Sequence, residues 1–170
     1  MTDGLMLPPG AGRSIGGAGM TLKVGADQSS AWSAFEALVS PGFDVGAHLH
    51  RQAEEFFFIL DGELDLLAFE PRSKTSGDWR SWESASGARV LRGGPGSAMF
   101  VPSGCPHAFA NPGTATARML FLVSPPGHEH YLDELGEVIG RGRPDPAVIA
   151  EVRARWDIEQ LTPMAVGHRP

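Results

Sequence analysis

Two histidines one residue apart, His48 and His50, stand in the stretch PGFDVGAHLHRQAEEFFFILDGEL, residues 41–64. Successive side chains of a β-strand point to opposite faces, so a strand here projects both imidazoles from the same face. Glu55 opens the apolar run that follows. We expect a tight turn to bring it back beside the histidines on an antiparallel neighbouring strand. The stretch therefore predicts two short paired strands with three polar side chains on one face.

A second stretch, GSAMFVPSGCPHAFAN at residues 96–111, supplies one more histidine. Pro102, Gly104 and Pro106 are typical turn residues, and they predict a turn that places His107 at the start of a new strand. A strand that starts at this point presents the imidazole on the same face as every second residue after it. His107 is therefore a candidate partner for the polar side chains of the first stretch.

Three neutral imidazoles and one carboxylate form a donor set that suits a borderline divalent ion: iron, manganese, nickel, copper or zinc. Octahedral coordination by four protein ligands leaves two positions for substrate or dioxygen. Without an ion, these groups would carry a large desolvation cost inside an apolar interior. We therefore predict one divalent transition metal bound by His48, His50, Glu55 and His107.

Aromatic and aliphatic side chains surround the predicted ligands. Phe57 and Ile59 follow the alternation that begins at Glu55, and Phe109 shares the face of His107. We predict Phe57, Ile59 and Phe109 as walls of a substrate pocket. The pair His128 and His130 lies in a segment with helical spacing, where residues two apart point in different directions, so we expect both on the surface.

The rest of the chain alternates short apolar runs with turn signals, and its 22 glycines and 14 prolines favour an all-β fold. Helical spacing begins only after Pro126, and a second helix is predicted from Pro146.

We divide the chain into a flexible N-terminal arm (1–20), a β-barrel (21–124) and a C-terminal helical extension (125–170). The segment 70–87 is predicted to be a long hairpin insertion near the pocket mouth. The predicted strands are 21–24, 31–39, 45–50, 55–60, 63–69, 89–91, 98–101, 107–110 and 117–123.

Charge and cysteine content exclude several classes of partner. The formal net charge of -6 gives no basic face for nucleic acid or an anionic membrane. Cys105 is the only cysteine, so no intramolecular disulfide can form. We find no signal peptide and no membrane span, and expect a cytoplasmic protein that binds a small molecule. We also expect a homodimer, formed through apolar side chains that face away from the site: Phe56, Phe58 and Leu60.

Ten positions of these two stretches match the paired motifs of the cupin superfamily in residue type and spacing. They are Gly42, His48, His50, Glu55 and Gly62 in the first motif, and Gly96, Pro102, Gly104, His107 and Asn111 in the second. The flanking segments LPPGAGRSIGGAGMTLKV and SPPGHEHYLDEL resemble bacterial single-domain quercetinase-like cupins. The gap at residues 63–95 is longer than in compact members, so the rim near Trp79 and Trp82 is not carried over.

The resemblance implies a cupin fold, which is a double-stranded β-helix or jelly-roll barrel, and metal-ligand roles for the four predicted residues. It also implies a dioxygenase that acts on a flavonol-like or other enolic or phenolic molecule. In such an enzyme Glu55 is the catalytic residue and accepts the proton of the substrate, and an apolar pocket favours this step by raising the pKa of the carboxyl group.

Two other functions remain open at this point. The same ion can act as a Lewis acid in a redox-neutral isomerase, cyclase or decarboxylase. Alternatively, the chain is a non-catalytic small-molecule binding module in which the metal is structural. Oxygen uptake separates the dioxygenase from the redox-neutral enzyme. A spectral change on substrate binding separates both enzymes from the binding module.

Overall fold

The computed structural model describes residues 3–15, 19–73, 77–142 and 145–165 of the chain. In these ranges the chain forms eleven strands and two α-helices. Ten strands precede the helices in sequence, and one follows them. The strands are β1 (Arg13–Ile15), β2 (Met20–Val24), β3 (Ser33–Val39), β4 (His48–His50), β5 (Glu54–Asp61), β6 (Leu64–Ala68), β7 (Leu91–Gly93), β8 (Ala98–Val101), β9 (His107–Ala110), β10 (Ala117–Ser124) and β11 (Ile158–Gln160). The helices are α1 (His128–Gly140) and α2 (Pro146–Arg155), and a short 3-10 helix covers Trp79–Ser81.

The strands form two antiparallel sheets that enclose the core. The larger sheet has the order β1-β2-β3-β10-β5-β8, and the smaller has the order β11-β4-β9-β6-β7. Along β5, Glu55, Phe57 and Ile59 are buried, whereas Phe56 and Leu60 are exposed. This is the alternation expected of a strand with one face on a core. The prediction of an all-β barrel with a C-terminal helical segment is confirmed.

Stacked aromatic rings fill the centre of the larger sheet. Phe121 on β10 lies between Phe35 on β3 and Phe57 on β5, with ring centroids 5.4 Å and 4.8 Å apart. These three residues are direct cross-strand neighbours in the sheet. Large rings that pack in this way bury much apolar area and fix the register of the three strands.

The C-terminal segment packs against the barrel. Asp145 caps α2 by accepting a hydrogen bond from the Ala147 amide, and Pro146 occupies the first turn, as predicted. Strand β11 then pairs with β4 and joins the smaller sheet, inside a segment that we had expected to be helical. Likewise β1, within the predicted flexible arm, pairs with β2, and Arg13 forms an ion pair with Asp133 of α1.

The described residues of the insertion, 70–73 and 77–87, lie on the outside of the smaller sheet. Trp79 and Trp82 are buried there against Leu67, Ala108 and other apolar side chains that point away from the barrel interior. The described residues of the insertion do not line the cavity described below, so for these residues the expected place near the pocket mouth is wrong. Within the described ranges, no helix is long and apolar enough to cross a membrane.

Candidate metal centre

Strand β4 carries two of the predicted ligands, His48 and His50, and both are buried. The turn before it contains Gly46 at φ +71°, where a Cβ atom would lie 2.5 Å from the Thr162 carbonyl oxygen. Only glycine fits such a place, because the backbone is left-handed and the C-terminal segment passes directly over it. The Gly46 carbonyl accepts a 2.8 Å hydrogen bond from His48 Nδ1, which leaves the lone pair on Nε2.

His107 begins β9 and lies directly opposite His48 in the sheet, with ring centroids 4.1 Å apart. The predicted turn before it contains Gly104 at φ +80°, and the Gly104 amide donates to the His50 carbonyl. His107 Nδ1 donates to the Cys105 carbonyl at 3.0 Å, so its Nε2 is again the free nitrogen. The turn thereby connects the two strands that supply the three imidazoles.

Glu55 reaches the histidines from the opposite sheet. We had expected it on an antiparallel neighbour of β4, but β5 pairs with β10 and β8, whereas β4 pairs with β9 and β11. The turn at residues 51–53 crosses from one sheet to the other instead of forming a hairpin, so the carboxylate faces the imidazoles across the barrel interior. Glu55 Oε1 lies 3.2 Å from His50 Nε2, and Oε2 lies 2.7 Å from His107 Nε2.

The four side chains converge on one point, with a ligand atom of each within 4.8 Å of the others. His50 Nε2, Glu55 Oε2 and His107 Nε2 are buried and have no hydrogen-bond partner among the described residues. Buried polar atoms are ordinarily satisfied, and these three point at a common centre. Three nitrogens and a carboxylate suit a divalent transition ion, so the residues present fit the metal predicted from the sequence.

The charges of the cluster favour the ligand forms of two residues. Burial alone would raise the pKa of Glu55, but the neighbouring His50 and His107 outweigh burial and hold that pKa well below its usual range. The expectation of a raised pKa is therefore wrong. Burial, together with the charges of His107 and Arg153, lowers the pKa of His48 well below its usual value. An ionised carboxylate and a neutral imidazole are the forms that bind metal.

A cavity of about 140 Å³ opens beside the cluster. Phe57 and Phe109, two of the three predicted pocket residues, line it. Ile59 is not among its lining residues. It is buried further along β5 beside Gly93, where its Cδ1 atom would lie 3.2 Å from a Cβ atom if residue 93 had one. The cavity walls are mostly apolar, so water near the cluster is limited.

Helix α1 supplies part of the cavity wall, which sequence reasoning missed. His128 is half-buried, lines the cavity and has its ring centroid 5.8 Å from that of His50, whereas His130 is exposed. The expectation that both are surface histidines therefore holds only for His130. Desolvation lowers the pKa of His128 to about 4, so it is neutral at physiological pH. The spacing of His128, Tyr131, Leu132 and Leu135 places them on one helix face, and this signal could have identified it.

A buried arginine on α2, Arg153, also lines the cavity and was not predicted. Its side chain is 1% exposed, and Nη1 donates a 2.8 Å hydrogen bond to the Val45 carbonyl. Arg153 follows Ile149 by four residues and therefore shares its buried face. Arginine on such a face usually extends its charged end to solvent, which is why spacing alone did not identify it.

Comparison with known families supports the motif resemblance. The family model described as Cupin matches residues 21–141, well over half of the chain. This range contains all four residues of the cluster and ends just after α1. No curated protein matches the sequence significantly.

Solved structures with a similar fold come from several organisms. An uncharacterized conserved protein with a double-stranded β-helix domain from Klebsiella pneumoniae is 13% identical, with a TM-score of 0.47 over 64% of this chain and 76% of that one. Oxalate decarboxylase from Lactobacillus farciminis is 20% identical (TM-score 0.48; 64% and 29% covered). DMSP lyase DddQ from Ruegeria pomeroyi is 26% identical (TM-score 0.44; 64% and 46% covered). The chain thus spans less than half of these last two proteins.

Proposed function

Because this chain belongs to the cupin family, we propose that it is a metal-dependent enzyme acting on a small enolic or phenolic molecule, with dioxygen as co-substrate. The observation that carries the proposal is the convergence of His48, His50, Glu55 and His107 on one point beside an apolar cavity. Four protein ligands leave two positions of an octahedral ion for other molecules. A purely structural ion is ordinarily enclosed by protein ligands, so the adjoining cavity favours an enzyme.

The metal would supply Lewis acidity and, if it is redox-active, a means of activating dioxygen. Glu55 would accept the hydroxyl proton of the substrate. Its low pKa keeps it ionised, although the same low pKa makes it a weaker base than the resemblance implied. Among the described residues that line the cavity, it is the only carboxylate. Phe57 and Phe109 would hold the ring or enol of the substrate and exclude water.

The volume of the cavity narrows the choice of substrate. An apolar cavity of about 150 Å³ is enough to hold one benzene ring, and the cavity here is about 140 Å³. A three-ring flavonol is much larger than this. We therefore propose a single-ring phenol or an enol of similar size as the preferred substrate class.

Elemental analysis of protein purified without chelators or metal resins is the first test. We expect about one redox-active ion per chain in the wild type and none in the His48→Ala, His107→Ala double variant. His130→Ala is the matched control, because His130 is an exposed histidine of α1. Wild-type protein that takes up no metal even when supplied with it would overturn the proposal.

Oxygen uptake by the metal-loaded protein, measured with single-ring phenols and enols, tests the reaction. Uptake that depends on substrate supports the dioxygenase. Turnover without uptake supports the redox-neutral alternative, and a metal whose spectrum no substrate changes supports the binding module.

Glu55→Gln tests the role of the carboxylate in proton transfer. The amide keeps a ligand oxygen but is a far weaker base, so we expect turnover to fall by roughly 10²- to 10⁴-fold in protein that still contains metal. The metal content of the variant is measured in parallel. Unchanged turnover at full metal content would exclude Glu55 as the proton acceptor.

A further inference from the structure

Arg153 is a buried charge with few partners. Its Nη1 donates to the Val45 carbonyl, while Nε is buried and has no hydrogen-bond partner among the described residues. Among the residues that the structure describes, no carboxylate lies within ion-pair distance of the guanidinium. Arginine stays protonated in proteins, so the cavity wall contains a permanent positive charge. Burying such a charge without a counter-ion is costly unless a ligand compensates it.

Neither carboxylate near Arg153 is free to pair with it. Asp44 accepts a 2.9 Å hydrogen bond from Trp79 Nε1 and forms a 3.1 Å ion pair with Arg80. Glu55 lies between His50 and His107, where it would serve as a metal ligand. The two positive charges of a divalent ion would exceed the single negative charge of Glu55. The ion and Arg153 together would therefore give the cavity a net positive charge. An anion is the ligand that such a cavity favours.

The guanidinium also has a suitable orientation. The bond from Nη1 to Val45 holds the group in place, and the edge formed by Nε and Nη2 has no hydrogen bond to the described residues. This edge is the fork that binds a carboxylate through two parallel hydrogen bonds. Tyr131 lines the same cavity, and its hydroxyl group makes no hydrogen bond with the described side chains or backbone, so it can supply a further donor.

We propose that Arg153 is the specificity-determining residue of the cavity and holds a carboxylate group of the substrate, which is therefore a small organic acid. This inference rests on the proposed function, because it names the substrate class of the same site. The carboxylate binds to the guanidinium group where it borders the cavity, and the rest of the molecule extends towards Phe57, Phe109 and the four-residue cluster.

The preference of the cavity for a charged ligand is tested by calorimetry, which measures the binding of two pairs of probes. Benzoate and propanoate are compared with benzamide and propanamide, which have nearly the same shapes but no charge. The protein is measured metal-free and loaded with zinc, which supplies the charge of the ion without redox chemistry. We expect at least one carboxylate to bind about ten- to a hundredfold more tightly than its amide in the zinc-loaded protein, as for a charged bidentate hydrogen bond. Equal binding of acid and amide in both pairs would overturn the proposal.

Arg153→Met assigns this preference to the residue. Methionine has similar length but no charge, so carboxylate affinity should fall about ten- to a hundredfold while amide affinity stays the same. A merely structural arginine would, when replaced, lower both affinities together. Arg155→Met is the matched control, because Arg155 lies on the same helix but is exposed and pairs with Glu134. Arg153→Lys, which keeps the charge but loses the fork, should retain part of the preference.

The outcomes separate this inference from the proposed function. Zinc-loaded protein that prefers carboxylates through Arg153 but consumes no oxygen with any substrate would contradict the dioxygenase and leave the inference standing. Substrate-dependent oxygen uptake that is the same in wild type and Arg153→Met, for acids and neutral phenols alike, would contradict the inference and leave the enzyme standing.

Discussion

Backbone carbonyl groups set the orientation of two of the three imidazoles in the cluster. His48 donates through Nδ1 to Gly46, and His107 donates through Nδ1 to Cys105. In both cases the acceptor lies two residues before the histidine, so the turn that precedes the strand also fixes the tautomer of the ring. The free Nε2 atoms therefore face the centre of the cluster because of local backbone geometry.

Glu129 shows how a buried carboxylate can be fully satisfied in the same fold. One oxygen accepts a 2.7 Å bond from the Ala26 amide, and the other accepts bonds from the Ser33 hydroxyl and the Gly127 amide. Burial raises the pKa of Glu129, but these donors outweigh burial and lower it below the ordinary value of 4.5. The residue connects the start of α1 to the loop after β2 and to β3.

We predict that Glu129→Gln lowers the free energy of unfolding by roughly 1–3 kcal/mol at pH 7, because one carboxylate oxygen is replaced by an NH2 group, which faces donors and cannot accept from them. The folded pKa is lower than the unfolded one, so this stabilisation is complete above about pH 4.5 and is lost as the pH falls through the folded pKa. Urea unfolding at pH 7 and pH 4 measures the difference. Glu137→Gln, on the exposed side of α1, should have little effect at either pH, and a pH-independent loss at position 129 would contradict the electrostatic explanation.

At the scale of single residues, sequence reasoning brought together the four candidate ligands but missed His128 and Arg153. A strand has a period of two, so His48, His50 and Glu55 could be assigned to a face without knowing which strands pair. The orientation of a helical residue towards the cavity depends on where the helix packs, and that is decided by distant contacts. Arg153 adds a second difficulty, because burial of arginine is rare.

At the scale of strands, alternation was predictable and strand pairing was not. The strands of the core were located from short apolar runs between glycines and prolines. However, Glu55 meets the histidines from the opposite sheet, and β11 pairs with a strand far away in sequence. A three-residue segment such as Ile158–Gln160 has too little pattern to be recognised as a strand. Neither feature has a local signal.

The insertion gives a stability prediction at the scale of one element. Trp79 is 1% exposed, and its Nε1 donates to Asp44 in the segment just before β4. We predict that Trp79→Phe lowers the unfolding free energy by about 1–3 kcal/mol, because the hydrogen bond and part of the buried ring are lost. Urea denaturation measures this loss.

Trp32→Phe is the control for this experiment, since Trp32 is 39% exposed and should change stability by less than about 0.5 kcal/mol. Zinc affinity of Trp79→Phe should stay close to that of wild type, because the insertion lies on the outside of the smaller sheet. Equal effects of the two substitutions would show that the insertion adds nothing to the stability of the barrel.

At the scale of the whole molecule, the larger sheet has an apolar outer face. Phe56 pairs across strands with Phe100 and Leu122, and Phe58 pairs with Leu120. Phe100, on the edge strand β8, is 57% exposed. Contiguous exposed aromatic side chains of this kind are typical of protein interfaces, and the homodimer expected from the sequence is therefore proposed to form here.

We predict that wild-type protein is a dimer at micromolar concentration and that Phe100→Glu makes it a monomer, because a buried, unpaired carboxylate would oppose association. Light scattering along a dilution series measures the mass. Leu91→Glu is the control, since Leu91 is an exposed apolar residue on the edge strand of the other sheet. A monomeric wild type, or dissociation caused equally by both substitutions, would contradict an interface on this face.

The pairing of β11 with β4 has a consequence for the order in which the protein is made. The histidine strand is synthesised well before the strand that covers its free edge, which follows directly after the helix that carries Arg153. At about 5–20 residues per second, β4 waits on the order of 5–20 seconds for this neighbour. A nascent chain therefore has a histidine pair without its full surroundings, and we expect the ion to be acquired only after β11 has been synthesised.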